Sequence, residues 1–347
     1  MIGGLYMYSF KNDYSEGAHK RILDAMIKSN MEQTDGYGTD DYCLKAAEYI
    51  KNKMDYEDAD IHFLVGGTQT NLTAISSFLK PYEAAIAVST GHINTHETGA
   101  IEATGHKVIS AADTYDGKLQ ACHIEKVLAE HTDEHMVKPK LVYISNPTEI
   151  GTIYSKSELK SLSDCCRKHN LFLYLDGARL ASALCADGND IALSDYPRLC
   201  DAFYIGGTKC GALMGEALVI CNNSLKEDFR YNIKNKGALF AKGRLLGIQF
   251  LELFKDNLYF ELGDYSNKMA KKLKDGITKE GYKFMIDSDT NQIFPIFPND
   301  IVKKISNNYN YTLWKKEDEN NSVLRLVTSW ATDETEVENF IEFLNNL

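Results

Sequence analysis

Residues 201–212 read Asp201-Ala202-Phe203-Tyr204-Ile205-Gly206-Gly207-Thr208-Lys209-Cys210-Gly211-Ala212, and they give the strongest indication of the fold. The apolar and aromatic first half is typical of a buried β-strand, and glycines flank Lys209 in the second half. Glycine lets a ligand approach the main chain closely. A lysine there can lose solvent, lower its pKa and attack a carbonyl carbon as a free amine. Taken alone, the stretch is also compatible with a surface turn that carries a lysine.

A second strand-like segment upstream favours the functional interpretation. Residues 171–179 read Leu171-Phe172-Leu173-Tyr174-Leu175-Asp176-Gly177-Ala178-Arg179, an apolar run that ends in an acid. Ligands collect at the carboxyl ends of strands in a parallel α/β sheet, so Asp176 and Lys209 are expected at the same edge. The alternation of strands and helices through residue 240 also predicts a mostly parallel sheet with right-handed crossovers.

An acid and a lysine at successive strand ends suit pyridoxal phosphate. This cofactor needs a lysine for its Schiff base and an acid that keeps its pyridinium nitrogen protonated. On these motifs the chain resembles the pyridoxal-phosphate lyases of the aspartate-aminotransferase fold, fold type I, and most closely the low-specificity L-threonine aldolases. The resemblance extends over nearly the whole chain. It implies that Lys209 holds the cofactor as an internal aldimine and that Asp176 pairs with the ring nitrogen.

The same resemblance implies the domain organisation. We expect an N-terminal arm at residues 1–17 and a large cofactor-binding α/β domain at residues 18–244. A smaller α+β domain is expected at residues 245–347, where alternating apolar and polar residues suggest an antiparallel sheet with one covered face.

A candidate phosphate site follows the strand-like residues 61–65. The turn Gly66-Gly67-Thr68-Gln69-Thr70-Asn71 leads into a helix, and free N–H groups at a helix start attract anions. The segment lacks the Gly-Lys-Ser/Thr of a P-loop and the Gly-x-Gly-x-x-Gly of a dinucleotide site. Ordinary helix capping by Thr68 is an equally compatible interpretation of the residues alone. The resemblance implies that Gly67, Thr68 and Asn71 bind the cofactor phosphate.

Two histidines follow the next predicted strand, residues 84–89. His92 and His96 are spaced i, i+4, which can bind a metal from a helix, but no third ligand is evident and we predict no metal. The resemblance implies instead that His92 stacks on the pyridine ring and lies near the substrate hydroxyl. A histidine that merely caps a helix is the alternative. The base that takes the hydroxyl proton is left open.

Further binding residues are implied by the resemblance alone. Asn146 is expected near the cofactor ring, and Arg179 in the cofactor and substrate site, unless it is a surface arginine in a helix's first turn. The resemblance implies that Arg179 helps bind the substrate carboxylate, for which its guanidinium fork suits a bidentate contact, and that Arg325 clamps the same carboxylate. Asn12 is expected to contact the substrate, although the family commonly opens with Ser-Asp where this chain has Asn12-Asp13.

The loop at Tyr37 points to an oligomer. In similar enzymes this loop reaches the neighbouring subunit's pocket, so we expect a homo-oligomer, either a dimer or a tetramer, with Tyr37 among the substrate-binding residues. The basic segment 226–242 resembles the family segment that borders the phosphate. Spacing does not distinguish among Lys236, Lys242 and Arg244 as the contact.

The implied activity is retro-aldol cleavage of L-threonine or L-allo-threonine to glycine and an aldehyde. The same fold also carries β-elimination and transamination, so a lyase or aminotransferase acting on another amino acid is the alternative. A non-catalytic ligand-binding relative would not need Lys209, Asp176, Arg179 and Arg325 together. Cys210 is a further candidate nucleophile, but no histidine stands beside it in the sequence.

Composition sets the remaining limits. The net charge of −11 over 347 residues argues against nucleic acid or an anionic membrane as the main partner. Residues 1–17 do not follow a secretory-signal pattern, and no apolar run reaches the roughly 18 residues that span a bilayer. Eight cysteines without a Cys-x-x-Cys pair predict reduced thiols in a cytoplasmic protein.

Overall fold

The structure, a computed structural model, describes residues 7–347. Its strands are β1 (Tyr8–Ser9), β2 (Asp60–Leu64), β3 (Glu83–Ala87), β4 (Val108–Ser110), β5 (Lys138–Ser145), β6 (Phe172–Asp176), β7 (Ala202–Gly206), β8 (Glu216–Ile220), β9 (Lys283–Phe284), β10 (Gln292–Ile293), β11 (Pro295–Pro298), β12 (Tyr309–Asn310), β13 (Thr312–Lys316) and β14 (Asn321–Val327). They form two larger sheets and one two-stranded pair.

The helices alternate with these strands through the first two thirds of the chain. They are α1 (Lys20–Ser29), α2 (Asp41–Met54), α3 (Gly67–Phe78), α4 (His92–Thr95), α5 (Ala121–Glu130), α6 (Lys156–Lys168), α7 (Leu180–Leu184), α8 (Tyr196–Leu199), α9 (Phe229–Asn235), α10 (Arg244–Lys255), α11 (Leu258–Lys279), α12 (Asn299–Ile305) and α13 (Glu334–Asn345). Within residues 7–347, none of them is both long and apolar enough to cross a membrane.

The large sheet has the order β2-β8-β7-β6-β5-β3-β4. β8 runs antiparallel to both neighbours, whereas β7, β6, β5, β3 and β4 pair in parallel. Every residue of β3 and β7 is buried, as expected for strands covered by helices on both faces. The predicted mostly parallel sheet is therefore confirmed. Because these strands point the same way, the loops after β3, β5, β6 and β7 meet at one edge.

The smaller sheet is antiparallel and lies in the C-terminal third. β14 is its central strand, flanked by β13 on one side and by β10 and β11 on the other. The N-terminal arm joins this part of the chain: β1 pairs with β12, and Phe10 is fully buried in the same core. Residues 1–6 of the predicted arm lie outside the described residues.

α11 connects the cores of the two sheets, and α10 packs beside it on the large sheet. α10 packs against α1 and α2, and Phe250, Leu253 and Phe254 belong to the core of the large sheet. α11 begins in that core and ends in the C-terminal core, where Leu273 and Ile277 are fully buried. The predicted boundary at residue 245 stays a prediction, and the packing of α10 favours a boundary within α11.

Candidate active site

A cavity of about 270 Å³ opens at the edge where the parallel strands end. Six residues predicted from the sequence line it: Gly67, Thr68, His92, Asp176, Arg179 and Lys209. They come from the loops after β2, β3, β6 and β7, which are far apart in the sequence. The cavity is thus built by the edge of the sheet on which the sequence placed these motifs.

Two glycines allow the loops after β6 and β7 to pack backbone against backbone. A Cβ added at Gly177 would lie 1.9 Å from the Tyr204 carbonyl oxygen, and one at Gly206 would lie 2.4 Å from the Ala178 carbonyl oxygen. The Gly206 N–H donates to the Gly177 carbonyl at 3.0 Å. Since real Cβ atoms do not approach so closely, these positions require glycine. This close packing brings the acid and the lysine to one cavity.

Lys209 carries its amine into this cavity and makes no hydrogen bond to any residue in the described range. Burial lowers its pKa, and the Arg179 guanidinium lowers it further, against the opposing charges of Asp13, Glu149 and Asp176. A lowered pKa increases the neutral fraction of the amine, which is the nucleophilic form. The environment of Lys209 therefore suits attack on a carbonyl carbon.

Asp176 is a buried carboxylate with four protein donors. Its Oδ2 accepts from Tyr143 at 2.6 Å and from Asn71 Nδ2 at 3.0 Å, and its Oδ1 accepts from Tyr204 at 2.5 Å and from the Ala178 N–H at 2.9 Å. Burial alone would raise its pKa, but His92 and these hydrogen bonds hold the pKa below its ordinary value. Asp176 is therefore kept as an anion at the cavity.

Asn71 faces the protein interior. Its Nδ2 donates to Asp176 and, at 2.7 Å, to Glu97 Oε1, and its Oδ1 accepts from the Tyr174 hydroxyl at 3.0 Å. The side chain is fully buried and does not line the cavity. The predicted phosphate contact of Asn71 stays a prediction. In this arrangement its amide instead bridges two buried carboxylates.

His92 is held by Glu97. Its Nδ1 lies 2.8 Å from Glu97 Oε1, and the Glu97 side chain is fully buried. Burial lowers the pKa of His92, but the hydrogen bond that His92 donates to Glu97 and the charges of Glu149 and Asp176 outweigh it and leave the pKa raised. His92, Glu97 and Asp176 also lie close enough together to hold a metal ion. Hydrogen bonds already join the three side chains: His92 contacts Glu97, and the Asn71 amide links Glu97 to Asp176.

The start of α3 forms another part of the cavity wall. Gly66 precedes the helix in extended conformation and offers no side-chain cap, while Gly67 and Thr68 line the cavity. The first N–H groups of a helix have no partner within the helix, and together with the helix dipole they favour an anion. Thr68 lies within the helix and does not cap it. This end of the cavity therefore fits a phosphate group.

The donor set as a whole fits pyridoxal phosphate. An amine at Lys209, an ionised carboxylate at Asp176 and an uncapped helix start at Gly67 line one cavity. These are the three kinds of group that the cofactor needs for its aldehyde, its ring nitrogen and its phosphate.

Arg179 is held by a buried acid of the N-terminal arm. Its Nε donates to Asp13 Oδ2 at 2.6 Å and its Nη2 to Asp13 Oδ1 at 3.1 Å, while Asn291 donates to the same carboxylate at 2.9 Å. Burial would raise the pKa of Asp13, but Arg179 and Lys209 lower it below its ordinary value. One face of the Arg179 fork is thus occupied by the protein itself. The Arg179 side chain is largely buried and ion-paired, unlike the surface arginine of the alternative interpretation.

Asn12 forms a turn within the arm. Its Oδ1 accepts from the Tyr14 N–H and from the Ser15 hydroxyl, each at 3.0 Å, and Asn12 does not line the cavity. Tyr14 does line it. The predicted substrate contact of Asn12 stays a prediction, and its observed hydrogen bonds shape the turn that delivers Tyr14.

Arg325 and Asn146 also lie outside the lining of the cavity. The Arg325 guanidinium packs over the Trp314 ring, 5.6 Å from its centre, and its buried Nε has no partner among the described residues. Asn146 is fully buried and donates to the Tyr196 hydroxyl at 2.9 Å, so its amide supports the loop after β5. Their predicted contacts with substrate and ring stay predictions.

The loop at Tyr37 and the basic segment lie apart from the cavity in the single chain. Tyr37 has a positive φ of 58° and is about half exposed, with Lys234 over its ring. Arg244 donates to the Glu32 carbonyl at 2.7 Å, and neither Lys236 nor Lys242 lines the cavity.

The sequence reasoning missed two acids of the cavity, Glu149 and Glu216. Glu216 accepts from the Gly207 N–H at 3.0 Å and from the Thr208 hydroxyl at 2.8 Å, and burial raises its pKa to about 8. A charged residue at the start of the apolar run 216–220 was a signal that could have identified it. Glu149 follows the apolar run 141–144 and the end of β5 closely, and an acid just beyond such a run was the available signal.

Comparison with known proteins gives a consistent result. Residues 12–298 match the β-eliminating lyase family. The low-specificity L-threonine aldolase of Pseudomonas aeruginosa is 31% identical over 288 residues, which cover 82% of this chain and 83% of that protein. The protein of the same description from Escherichia coli K12 is 28% identical over 296 residues, with 83% and 84% covered.

Solved structures agree with the fold. The threonine aldolase of Leishmania major superposes with a TM-score of 0.96 at 53% identity, and the match covers 98% of this chain and 99% of that one. An aspartate aminotransferase double mutant from Thermus thermophilus gives a TM-score of 0.73 at 14% identity, covering 98% and 92%. The second likeness shows the fold alone, and it confirms the predicted aspartate-aminotransferase type.

Proposed function

Because the chain belongs to the β-eliminating lyase family, we propose that it is a pyridoxal-phosphate-dependent threonine aldolase. It cleaves L-threonine or L-allo-threonine to glycine and an aldehyde. The observation that carries this proposal is the single cavity lined by Lys209, Asp176 and the start of α3. The relatives named above, which are threonine aldolases by name, support the choice of substrate. When bound, pyridoxal phosphate supplies an electron sink for the bond that breaks.

Each part of the cavity has a proposed binding task. Lys209 would hold the cofactor covalently through its amine, and the Asp176 carboxylate would accept a hydrogen bond from a protonated ring nitrogen. The N–H groups at Gly67 and Thr68 would bind the phosphate, since they are unpaired within α3. His92 would lie beside the ring, and Glu97 holds the His92 side chain through Nδ1.

The arginines orient the amino acid. We assign the substrate carboxylate to Arg325 and to the part of the Arg179 fork that Asp13 leaves free. Such charge-assisted bonds are directional and fix how the Cα substituents stand in the site. Orientation of this kind supplies several kcal/mol of a reaction barrier, up to about 7 kcal/mol or more in the best cases.

Product analysis tests the proposed reaction. The purified protein, loaded with pyridoxal phosphate, is incubated separately with L-threonine and L-allo-threonine. Glycine and acetaldehyde in equal amounts are expected. Ammonia with a keto acid would indicate a β-eliminating lyase, and transfer of the amino group to an added keto acid would indicate an aminotransferase. Either outcome would replace the aldolase assignment with the alternative that the fold allows.

Arg325→Ala is expected to weaken productive binding of the substrate. Loss of a charge-assisted bond to a carboxylate costs about 2–3 kcal/mol, a fall of roughly 30- to 150-fold in kcat/KM for L-threonine. The affinity for pyridoxal phosphate, followed by its absorbance, should change far less. Steady-state kinetics checks the first effect, and an unchanged kcat/KM would exclude Arg325 from carboxylate binding.

An exposed apolar surface supports the proposal of a homo-oligomer. We call the side chains of Leu23, Ile27, Met31, Leu44 and Leu245 the α1–α2 surface; Ile27 is 76% and Met31 is 88% exposed. Leu23 and Ile27 lie on α1, Leu44 on α2 and Leu245 on α10, and Met31 follows the end of α1; α1 and α2 both pack on α10. Apolar residues exposed together often mark an interface between chains.

Sedimentation tests the oligomer. We expect a dimer or tetramer whose smallest active unit is the dimer, because Tyr37 lies beside this surface in the sequence and away from its own cavity. Ile27→Glu should shift the protein toward monomer and lower its activity at low protein concentration. Leu313→Glu changes a similarly exposed residue on β13, outside the surface, and should leave the sedimentation coefficient unchanged. A fully active wild-type monomer would contradict the proposal.

A cytoplasmic location is proposed on the cysteine chemistry. All eight cysteines are free, and burial raises the pKa of most of these thiols. Reduced thiols of this kind are usual in reducing compartments. Fractionation of the cells that produce the protein tests this, and recovery in a membrane or secreted fraction would contradict it.

A further inference from the structure

The cavity contains three acids within the described residues: Glu149, Asp176 and Glu216. Cleavage of a β-hydroxy amino acid needs a base for the hydroxyl proton, and a base must have a free lone pair at the cavity. The three acids differ in how many hydrogen bonds their oxygens already accept from the protein. An oxygen that accepts few of them is better suited to take the proton.

Asp176 and Glu216 are already engaged. The oxygens of Asp176 accept four protein hydrogen bonds, two on each oxygen. Glu216 accepts from Gly207 and Thr208, and burial raises its pKa to about 8, so it stays largely protonated at neutral pH. A protonated acid cannot accept another proton. Neither group is suited to remove one from the substrate.

His92 is held by Glu97 through one of its two ring nitrogens. Its Nδ1 lies 2.8 Å from Glu97 Oε1, and this hydrogen bond with the charges of Glu149 and Asp176 outweighs burial and raises the pKa of His92. A raised pKa favours the protonated ring, which donates hydrogen bonds. His92 is therefore suited to position a hydroxyl oxygen or an aldehyde oxygen.

Glu149 accepts fewer protein hydrogen bonds than Asp176 or Glu216. The Ser145 hydroxyl, at 3.2 Å from Oε1, is its one protein donor among the described residues, so Oε2 accepts no hydrogen bond from them, and Glu149 lines the cavity. It follows the carboxyl end of β5 and is half-buried. Its charge acts on His92, Arg179 and Lys209, and on Arg325 as well. Among the described residues Glu149 forms no ion pair with any of these basic groups.

We propose that Glu149 is the general base that takes the proton from the β-hydroxyl of the substrate. The O–H bond breaks and its proton passes to a Glu149 oxygen, while the electron pair of that bond forms the aldehyde C=O. The Cα–Cβ bond breaks and leaves its pair on Cα, and a proton added to Cα completes glycine. The inference rests on the proposed aldolase function. It assigns the hydroxyl step to Glu149 and leaves the exchange at Cα to Lys209.

Glycine separates these two steps because it has no β-hydroxyl. In Glu149→Gln, which keeps the size of the side chain and removes its basicity, kcat for L-threonine should fall by about 10²- to 10⁴-fold. The dissociation constant of glycine, measured by calorimetry, and the exchange of its Cα hydrogen in D₂O, measured by NMR, should stay within about threefold of wild type. A residue with only a structural role would affect all three measurements.

Chemical rescue gives a second, independent measurement. In Glu149→Ala, added formate should restore threonine cleavage in proportion to its concentration, because a small carboxylate can occupy the vacated space and accept the proton. Formate should not accelerate the wild-type enzyme. Glu149→Asp, which shortens the carboxylate, should fall between wild type and Glu149→Gln.

The outcomes distinguish this inference from the proposed function. Wild-type protein that fails to cleave either threonine isomer overturns the function, and the role of Glu149 falls with it. If the wild type is active and the kcat of Glu149→Gln lies within threefold of the wild-type value, the Glu149 assignment alone is overturned. The same assignment is overturned if Glu149→Gln loses glycine exchange in parallel with threonine cleavage, or if formate rescues nothing.

Discussion

Lys209→Ala is expected to abolish cleavage of L-threonine while the protein still binds pyridoxal phosphate. Phosphate binding at the start of α3 and the pairing with Asp176 do not involve the lysine, so affinity should persist. The covalent link to the cofactor is lost, and so is the amine that serves the exchange at Cα. Removal of a reacting group of this kind lowers kcat by at least about 10³-fold.

Borohydride reduction and peptide mapping check this result. In the wild-type protein, reduction should attach the cofactor to the peptide that contains Lys209 and to no other. In Lys209→Ala the cofactor should be removable after reduction. A label on Lys236 or Lys242 would overturn the assignment. The interpretation of Lys209 as part of an ordinary surface turn predicts no label and near-normal turnover.

Asp176→Asn should also give a large loss of activity. The substitution keeps the shape of the side chain but removes the negative charge that pairs with a protonated ring nitrogen. The new amide also faces the hydroxyls of Tyr143 and Tyr204, which in the wild-type protein donate hydrogen bonds to the Asp176 carboxylate. Loss of a preorganised electrostatic partner costs about 10²- to 10³-fold in kcat. Reduction should still label Lys209, since the Schiff base does not require Asp176.

Tyr174→Phe is the matched control for this network. The Tyr174 hydroxyl donates to Asn71 Oδ1 and not to Asp176, so the charge of the carboxylate is retained. Leaving Asn71 Oδ1 without its donor should lower the free energy of unfolding by about 1–3 kcal/mol. Urea unfolding and steady-state kinetics would separate the two variants. If Tyr174→Phe lost as much kcat as Asp176→Asn, packing rather than charge would explain the effect.

The residues that the sequence located well are those at strand ends. Lys209, Asp176 and the Gly67-Thr68 turn each follow an apolar run, and all the parallel strands deliver such positions to one edge. A local pattern therefore suffices to bring them together. The mostly parallel sheet could be predicted for the same reason.

The direction of a side chain depends on partners that a local pattern does not contain. Asn71 turns inward because Glu97, Asp176 and Tyr174 surround it, and the last two are more than 100 residues away in the sequence. Arg179 meets Asp13, which is 166 residues distant. Contacts of this length are set by the tertiary fold. Sequence reasoning alone could name the residue but not what its polar atoms contact.

The docking of the N-terminal arm has a consequence for how the protein is made. Asn291, a partner of Asp13, is translated 278 residues after it, and β12 is likewise translated long after β1, the strand with which it pairs. Until then the arm has no strand to pair with, and the Arg179 fork lacks the acid that holds it. Long-range contacts of this kind form late in folding. A nascent chain can therefore complete its large sheet well before it completes its substrate site.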